Sequence, residues 1–202
     1  GRRLDMRATI RRSRRTAGDP VERIRRRETV RPRRLVMLAD ISGSMEPYAR
    51  AYLQLLHCAA GGANAETFVF ATRLTRLTRH LRIRNPNVAL RRAAASAPDW
   101  AGGTRLGDAL KAFNDGWGRR GLARGAVLLI VSDGWDAGDP AIVGEQMARL
   151  ARLSHRVVWV NPRKQSESYQ PLVGAMAAAL PHVDAFVSGH SLAAMREVLD
   201  AI

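Results

Sequence analysis

Asp40, Ser42 and Ser44 occur in the run Leu-Val-Met-Leu-Ala-Asp-Ile-Ser-Gly-Ser-Met, which puts one carboxylate and two hydroxyls at the end of an apolar stretch. Donors of this type suit a hard divalent cation, which takes about six oxygen ligands, some of them water, and accepts hydroxyls beside carboxylates. Gly43 permits the dihedrals that let side chains two residues apart face one point. Two more groups fit the same chemistry. Thr104 follows Gly102-Gly103 on a loop, and Asp133 lies in Ser132-Asp133-Gly134-Trp135-Asp136, just after the apolar run Val127 to Val131. A dication facing mostly hydroxyls and at most two carboxylates keeps positive character and attracts an outside anion, such as an acidic side chain of a partner. That chemistry is recognition, not turnover.

Each residue also has a purely local reading. Ser44 can cap the helix that follows, Asp40 can cap a turn, and Asp133-Gly134 can be an ordinary loop after a strand. Asp136 and Asp139 are candidates for outer ligands, although Asp139 before Pro140 reads more simply as a helix cap. Trp100 and Trp135 flank two of the loops and are expected either to form an aromatic rim for a partner or to pack inside.

The elements that must position these groups alternate. Strand patterns fall at Leu35 to Ala39, Thr67 to Ala71, Ala126 to Val131, Arg156 to Val160 and Val183 to Val187. Helical periodicity occupies 48 to 60, 87 to 96, 105 to 117, 140 to 153, 169 to 180 and 191 to 201. The echo Leu74-Thr75-Arg76-Leu77-Thr78-Arg79 is read as a strand edge or turn, too short for a repeat. Such alternation predicts an α/β fold with a largely parallel sheet covered on both faces and a crevice at the carboxyl ends of its strands. Asp40 and Asp133 are expected to meet in that crevice.

With 202 residues, the chain has room for one well-buried domain and a short appendage. Residues 1–34 hold 14 arginines against Asp5, Asp19, Glu22 and Glu28, so +10 of the formal +15 falls there and +5 on residues 35–202. This segment reads as a basic arm, and 35–202 as the folded body. Within the arm, Val21 to Val30 is expected to extend along a sheet edge. Its charge would attract an acidic protein surface, nucleic acid or anionic lipid. No apolar run has the length of a membrane span, and the Arg-rich start lacks the apolar stretch of a secretory signal, so the expectation is a soluble cytoplasmic protein. Cys58 is the only cysteine, excludes an internal disulfide, and is expected to be buried in a helix.

Several catalytic readings drop out. Gly116-Trp117-Gly118-Arg119-Arg120-Gly121 satisfies G-x-G-x-x-G, but it closes a helix before a strand, the reverse of the dinucleotide-binding context, and is read as a helix stop. No phosphate-binding G-x-x-x-x-G-K-S/T run exists, so any ATP use belongs to a partner. His57, His80, His155, His182 and His190 show neither zinc spacing nor a nucleophile arrangement. Phosphoester hydrolysis at a cation lacks an evident general base.

Ser-Gly-Ser-Met-Glu-Pro-Tyr at 42 to 48, Phe-Val-Phe-Ala-Thr-Arg-Leu at 68 to 74, Asp-Trp-Ala-Gly-Gly-Thr-Arg-Leu-Gly at 99 to 107, Ser-Asp-Gly-Trp-Asp at 132 to 136 and Leu-Pro-His-Val-Asp at 180 to 184 resemble the CoxE-like von Willebrand factor A (VWA) family. The resemblance implies a VWA fold with a metal-ion-dependent adhesion site. Ser42 and Ser44 would bind Mg2+, or Mn2+ or Ca2+, directly. Thr104 would do so directly or through water, and Asp40 and Asp133 directly or as water-linked supports. It further implies a non-enzymatic adaptor that works with a MoxR-type AAA+ ATPase in assembling a molybdenum-containing carbon monoxide dehydrogenase. The alternative expectation is nucleic-acid binding through the arm, weakened for single strands because residues 1–34 contain no aromatic side chain.

Overall fold

The computed structural model describes residues 4–14, 23–24, 32–97, 103–163 and 174–189. The chain divides into two compact units, Gly1–Pro32 and Arg33–Ile202.

In the first unit, Met6–Ser13 forms helix α1. Leu4, Met6, Ala8 and Ile10 alternate with polar residues rather than following helical spacing, and the helix is capped by Asp5, whose carboxylate accepts from the Ala8 N–H at 3.0 Å. Ile24 lies within this unit, its N–H donating to Thr9 Oγ1 at 3.1 Å and its carbonyl accepting from the Asp5 N–H at 2.8 Å. Apart from Arg23 and Ile24, the expected extended segment from Val21 to Val30 lies outside the described residues.

The second unit is built on a six-stranded sheet of β1 (Leu35–Asp40), β2 (Glu66–Phe70), β3 (Leu74–Arg76), β4 (Val127–Val131), β5 (Arg156–Asn161) and β6 (Ala185–Ser188), in the order β3-β2-β1-β4-β5-β6. All neighbours pair in parallel except β3, which runs antiparallel to β2 at the edge. The five strands read from periodicity are present within two residues at each end, and the 74 to 79 echo supplies the edge strand. Its second half instead turns into a short helix, α3 (Thr78–Leu81).

β1 and β4 are buried at every position because helices cover both faces of the sheet, which explains why their sequences are continuous apolar runs rather than alternating ones. On one face Met37, Leu129 and Val158 pack with Tyr52, Leu53 and Leu56 of α2 (Glu46–Gly62) and Ala93 of α4 (Pro86–Ser96). On the other, Val36, Leu38 and Ile130 meet Leu106, Leu110 and Phe113 of α5 (Leu106–Phe113), Met147 and Leu150 of α6 (Pro140–Leu153), and Met176 of α7 (Gly174–Ala179). Phe68 makes edge-on contacts with Phe113 and Trp117, ring centroids 5.2 Å apart in both pairs.

Two expectations are corrected. Cys58 is exposed, because the apolar stripe of α2 runs through Ala49, Tyr52, Leu53, Leu56 and Ala60 and leaves position 58 on the outer side. The helix read over 105 to 117 runs further, in wide helical turns from Asn114 to Leu122, so within the 116 to 121 run the break falls at its last glycine, Gly121 (φ 113°). Apart from these corrections, the arginine content of the second unit is uneven: residues 67–97 carry seven arginines and no acid, in and around β3, α3 and α4. Two of these, Arg76 and Arg82, pair with Glu66. The helix proposed for 191 to 201, and 169 to 173 of the one before it, lie outside the described residues; Gly174–Ala179 is helical and Leu180–His182 forms one 3-10 turn.

Candidate functional site

The carboxyl ends of β1, β4 and β5 open onto one region, as the parallel sheet requires. β1 ends at Asp40, whose side chain is almost fully buried. Its Oδ1 accepts from the Ser42 N–H at 2.8 Å, and its Oδ2 accepts from the Ser132 hydroxyl at 2.7 Å across the β1/β4 boundary. Ser132 in turn accepts from the Gly134 N–H at 3.0 Å, so one carboxylate fixes both strand-end turns. Burial pushes the Asp40 carboxyl up to about 6; the Ser42 and Ser132 hydrogen bonds oppose that rise and the nearby Asp133 charge adds to it.

The turn after Asp40 brings Ser42 Oγ and Ser44 Oγ to 3.3 Å of each other. Ser42 is buried and Ser44 exposed, so the pair runs from the interior to the surface. Ser44 does not cap α2: Met45 holds the cap position with no side-chain bond, whereas Asp40 does cap its own turn. Ser42, Ser44, Gly103, Thr104, Trp135 and Asp136 line a single cavity of about 500 Å³. Thr104 enters from a loop anchored at both sides, the Arg105 N–H donating to the Ala71 carbonyl at 2.9 Å and the Thr104 carbonyl accepting from the Ala137 N–H at 3.0 Å.

Asp133 follows β4 by two residues, with its side chain fully buried. Oδ1 accepts from the Trp135 N–H at 3.1 Å, whereas Oδ2 has no hydrogen-bond partner and faces Arg163 Nη1 at 3.6 Å. A buried carboxylate oxygen without a hydrogen bond is costly in a folded chain unless a cation answers it. Ser42, Ser44 and Thr104 line the cavity, whereas Asp40 and Asp133 are buried and are not among its lining residues; hydroxyl and carboxylate oxygens are the donors a hard dication takes. Among the described residues no group of three or more His, Cys, Asp or Glu could hold a metal, so any ion here would rely on hydroxyls.

Asp136 and Asp139 have other work. Asp136 accepts from the Leu106, Gly107 and Gly138 N–H groups at 3.0, 3.2 and 3.1 Å, capping α5 from 30 residues away, and Asp139 caps α6 through the Ala141 N–H at 2.9 Å. Trp135 is 57% exposed on the cavity rim, and Trp100 lies outside the described residues. Sequence reasoning assigned no role to Ser132, Asn161 or Arg163. Ser132 and Asn161 stand at strand ends, the position that already marked Asp40 and Asp133. Trp159 ties these ends together, its indole N–H donating to the Ser132 carbonyl at 2.9 Å.

The mostly parallel α/β sheet, with hydroxyl-bearing turns at adjoining strand ends, matches the architecture of von Willebrand factor A domains. The family model described as VWA domain containing CoxE-like protein matches residues 1–195, and the chain belongs to that family. No curated protein matches the sequence significantly. Among solved structures, the fold resembles the conserved hypothetical protein BatB from Bacteroides thetaiotaomicron, with a TM-score of 0.55 and 14% identity over 84% of this chain and 97% of that one. It also resembles an aerotolerance-related membrane protein from Bacteroides fragilis, with a TM-score of 0.51 and 14% identity over 84% and 98% of the two chains. Proximal thread matrix protein 1 from the mussel byssus, solved with a zinc-occupied MIDAS motif, gives 0.52 and 13% over 82% of this chain and 43% of that one. At these identities the likeness is one of fold. Among the described residues, no helix is long and apolar enough to cross a membrane.

Proposed function

We propose that this chain is a non-enzymatic binding module that grips an acidic side chain of a partner protein through a divalent cation, Mg2+ in the first instance. Ser42 and Ser44 would hold the ion directly, Thr104 directly or through water, and Asp40 and Asp133 directly or through water. The observation that carries the reading is the convergence of three hydroxyls from two separate loops on one cavity, backed by two buried carboxylates. When bound, the ion supplies an electrophilic point with an open position that a partner's carboxylate can fill. The chain itself supplies position: Asp40 sets both turns through Ser42 and Ser132, and Ala137 holds the Thr104 loop to the segment after β4. A zinc-occupied MIDAS motif in the mussel thread protein supports a dication in this fold.

Membership of the CoxE-like family extends the proposal to a role: an accessory factor acting with a MoxR-type AAA+ ATPase in maturation of a molybdenum-containing enzyme of the carbon monoxide dehydrogenase type. The test has two stages. Calorimetric titration with Mg2+ and Mn2+ should show one site in the wild-type chain and none in Ser42→Ala/Ser44→Ala that retains its far-ultraviolet spectrum; equal binding by both overturns the metal assignment. Capture of the ATPase and of the client enzyme is then compared in Mg2+ and in chelator, and capture that ignores the chelator detaches the partner role from the ion. Nucleic-acid binding is the competing reading, favoured by the arginines of residues 1–34 and 67–98. A steep loss of duplex DNA or RNA binding with salt would promote it, and no binding at low salt removes it.

A further inference from the structure

We infer that Arg163 is a built-in counter-cation for Asp133, one that occupies the electrostatic role of the dication in the metal-free chain and is displaced when the ion binds. The inference rests on the metal reading above and concerns how that site is regulated.

The argument starts from Asp133. Its side chain is fully buried, one carboxylate oxygen takes a single backbone N–H, and the other takes none. Such a charge needs a positive neighbour, and among the described residues the cation that meets it is Arg163, Nη1 lying 3.6 Å from Oδ2. That separation exceeds hydrogen-bond length, so the contact is a charge pairing rather than a bidentate clamp. The two residues are also linked through the backbone. Asn161, the last residue of β5, donates from Nδ2 to the Asp133 carbonyl at 3.3 Å and accepts the Arg163 N–H on Oδ1 at 2.8 Å. The turn carrying the guanidinium is therefore keyed to the turn carrying the carboxylate.

Under the metal reading, in which Asp133 helps hold the ion directly or through water, a dication and the Arg163 guanidinium compete for the same negative charge and repel each other. Arg163 is the partner free to leave: its side chain is 52% exposed, whereas Asp133 has no exposure at all. Ion binding would then release the Arg163 guanidinium to solvent, while its backbone stays tied to Asn161.

Removing the guanidinium has two effects from one cause. Arg163→Gln should bind Mg2+ or Mn2+ about five- to tenfold more tightly than wild type, equivalent to about 1–1.4 kcal/mol. In chelator the same variant should melt below wild type, and saturating Mg2+ should narrow that gap. Arg163→Lys, which keeps the charge, should fall between the two and serves if the glutamine variant folds poorly. Arg105→Gln removes a charge beside Thr104 that pairs with Asp108 at 3.4 Å rather than with Asp133, and should change metal affinity less than twofold. The experiment is calorimetric metal titration of the full chain together with thermal unfolding in Mg2+ and in chelator. Equal or weaker binding by Arg163→Gln, or an equal gain in Arg105→Gln, overturns the inference. A wild-type chain that binds neither ion overturns the metal reading instead, and the chelator melting difference still reports the ion pair alone.

Discussion

Gly134 sits between the buried Asp133 and the exposed Trp135, and substituting it by alanine separates two costs that usually come mixed. Its φ is +81°, a left-handed conformation that costs a residue with a Cβ about 1 kcal/mol. A Cβ there would also lie 2.8 Å from Met176 Sδ and 2.9 Å from Met176 Cβ. The sulfur can rotate away, but the Met176 Cβ is fixed by α7, so the strand-end turn itself must shift. Overpacking of this kind costs about 1–3 kcal/mol, which puts Gly134→Ala at about 2–4 kcal/mol in total. Gly125→Ala is the internal control, since Gly125 has φ +64° and nothing within 4 Å of the added Cβ; it should cost about 1 kcal/mol through backbone strain alone. Urea unfolding of both variants in chelator, followed by tryptophan fluorescence and circular dichroism, gives the comparison. Equal losses in the two variants, or a Gly134→Ala cost below about 0.5 kcal/mol, would refute the claim that α7 packs directly against the turn after β4.

Asp40 predicts a pH dependence. Its carboxyl stands at about 6 against an ordinary 3.8, so between those values the folded chain binds more protons than the unfolded one, and stability in chelator should fall as pH rises through that window. The full effect is about 3 kcal/mol, and Asp40→Asn should lack this component, leaving a flatter stability profile from pH 4 to 7 in denaturant titrations. Asp136→Ala should remove the cap of α5 at a cost of about 1–2 kcal/mol and raise hydrogen exchange at the Leu106 and Gly107 amides, whereas an effect confined to metal affinity would contradict the capping role.

The sheet was legible in the sequence because its central strands are buried on both faces, and Leu35–Ala39 and Val127–Val131 have nowhere to place a polar side chain before Asp40 and Ser132. The candidate cavity was legible for a related reason: in a parallel sheet all carboxyl ends share one side, so polar residues that terminate separate apolar runs collect without any local signal linking them. Cys58 was misread because its neighbours are apolar and only the angular position around α2 separates the inner stripe from the outer side. Asp136 was ambiguous because its ligands are backbone N–H groups 30 residues earlier, a pairing no short spacing encodes. Arg163 left no trace, since an arginine in a chain with 33 basic residues is distinguished only by the buried carboxylate it meets.

The short antiparallel β3 has a consequence for how the chain behaves in concentrated solution. An outer strand offers a template for addition of another chain, and the hazard grows with its length and its apolar face. Here the template is three residues long, ends in Arg76, and lies within an acid-free span that carries seven arginines. Two such borders would meet as like charges, so lateral growth into fibrils is opposed electrostatically at low ionic strength, and the safeguard weakens as added salt shortens the range of that repulsion.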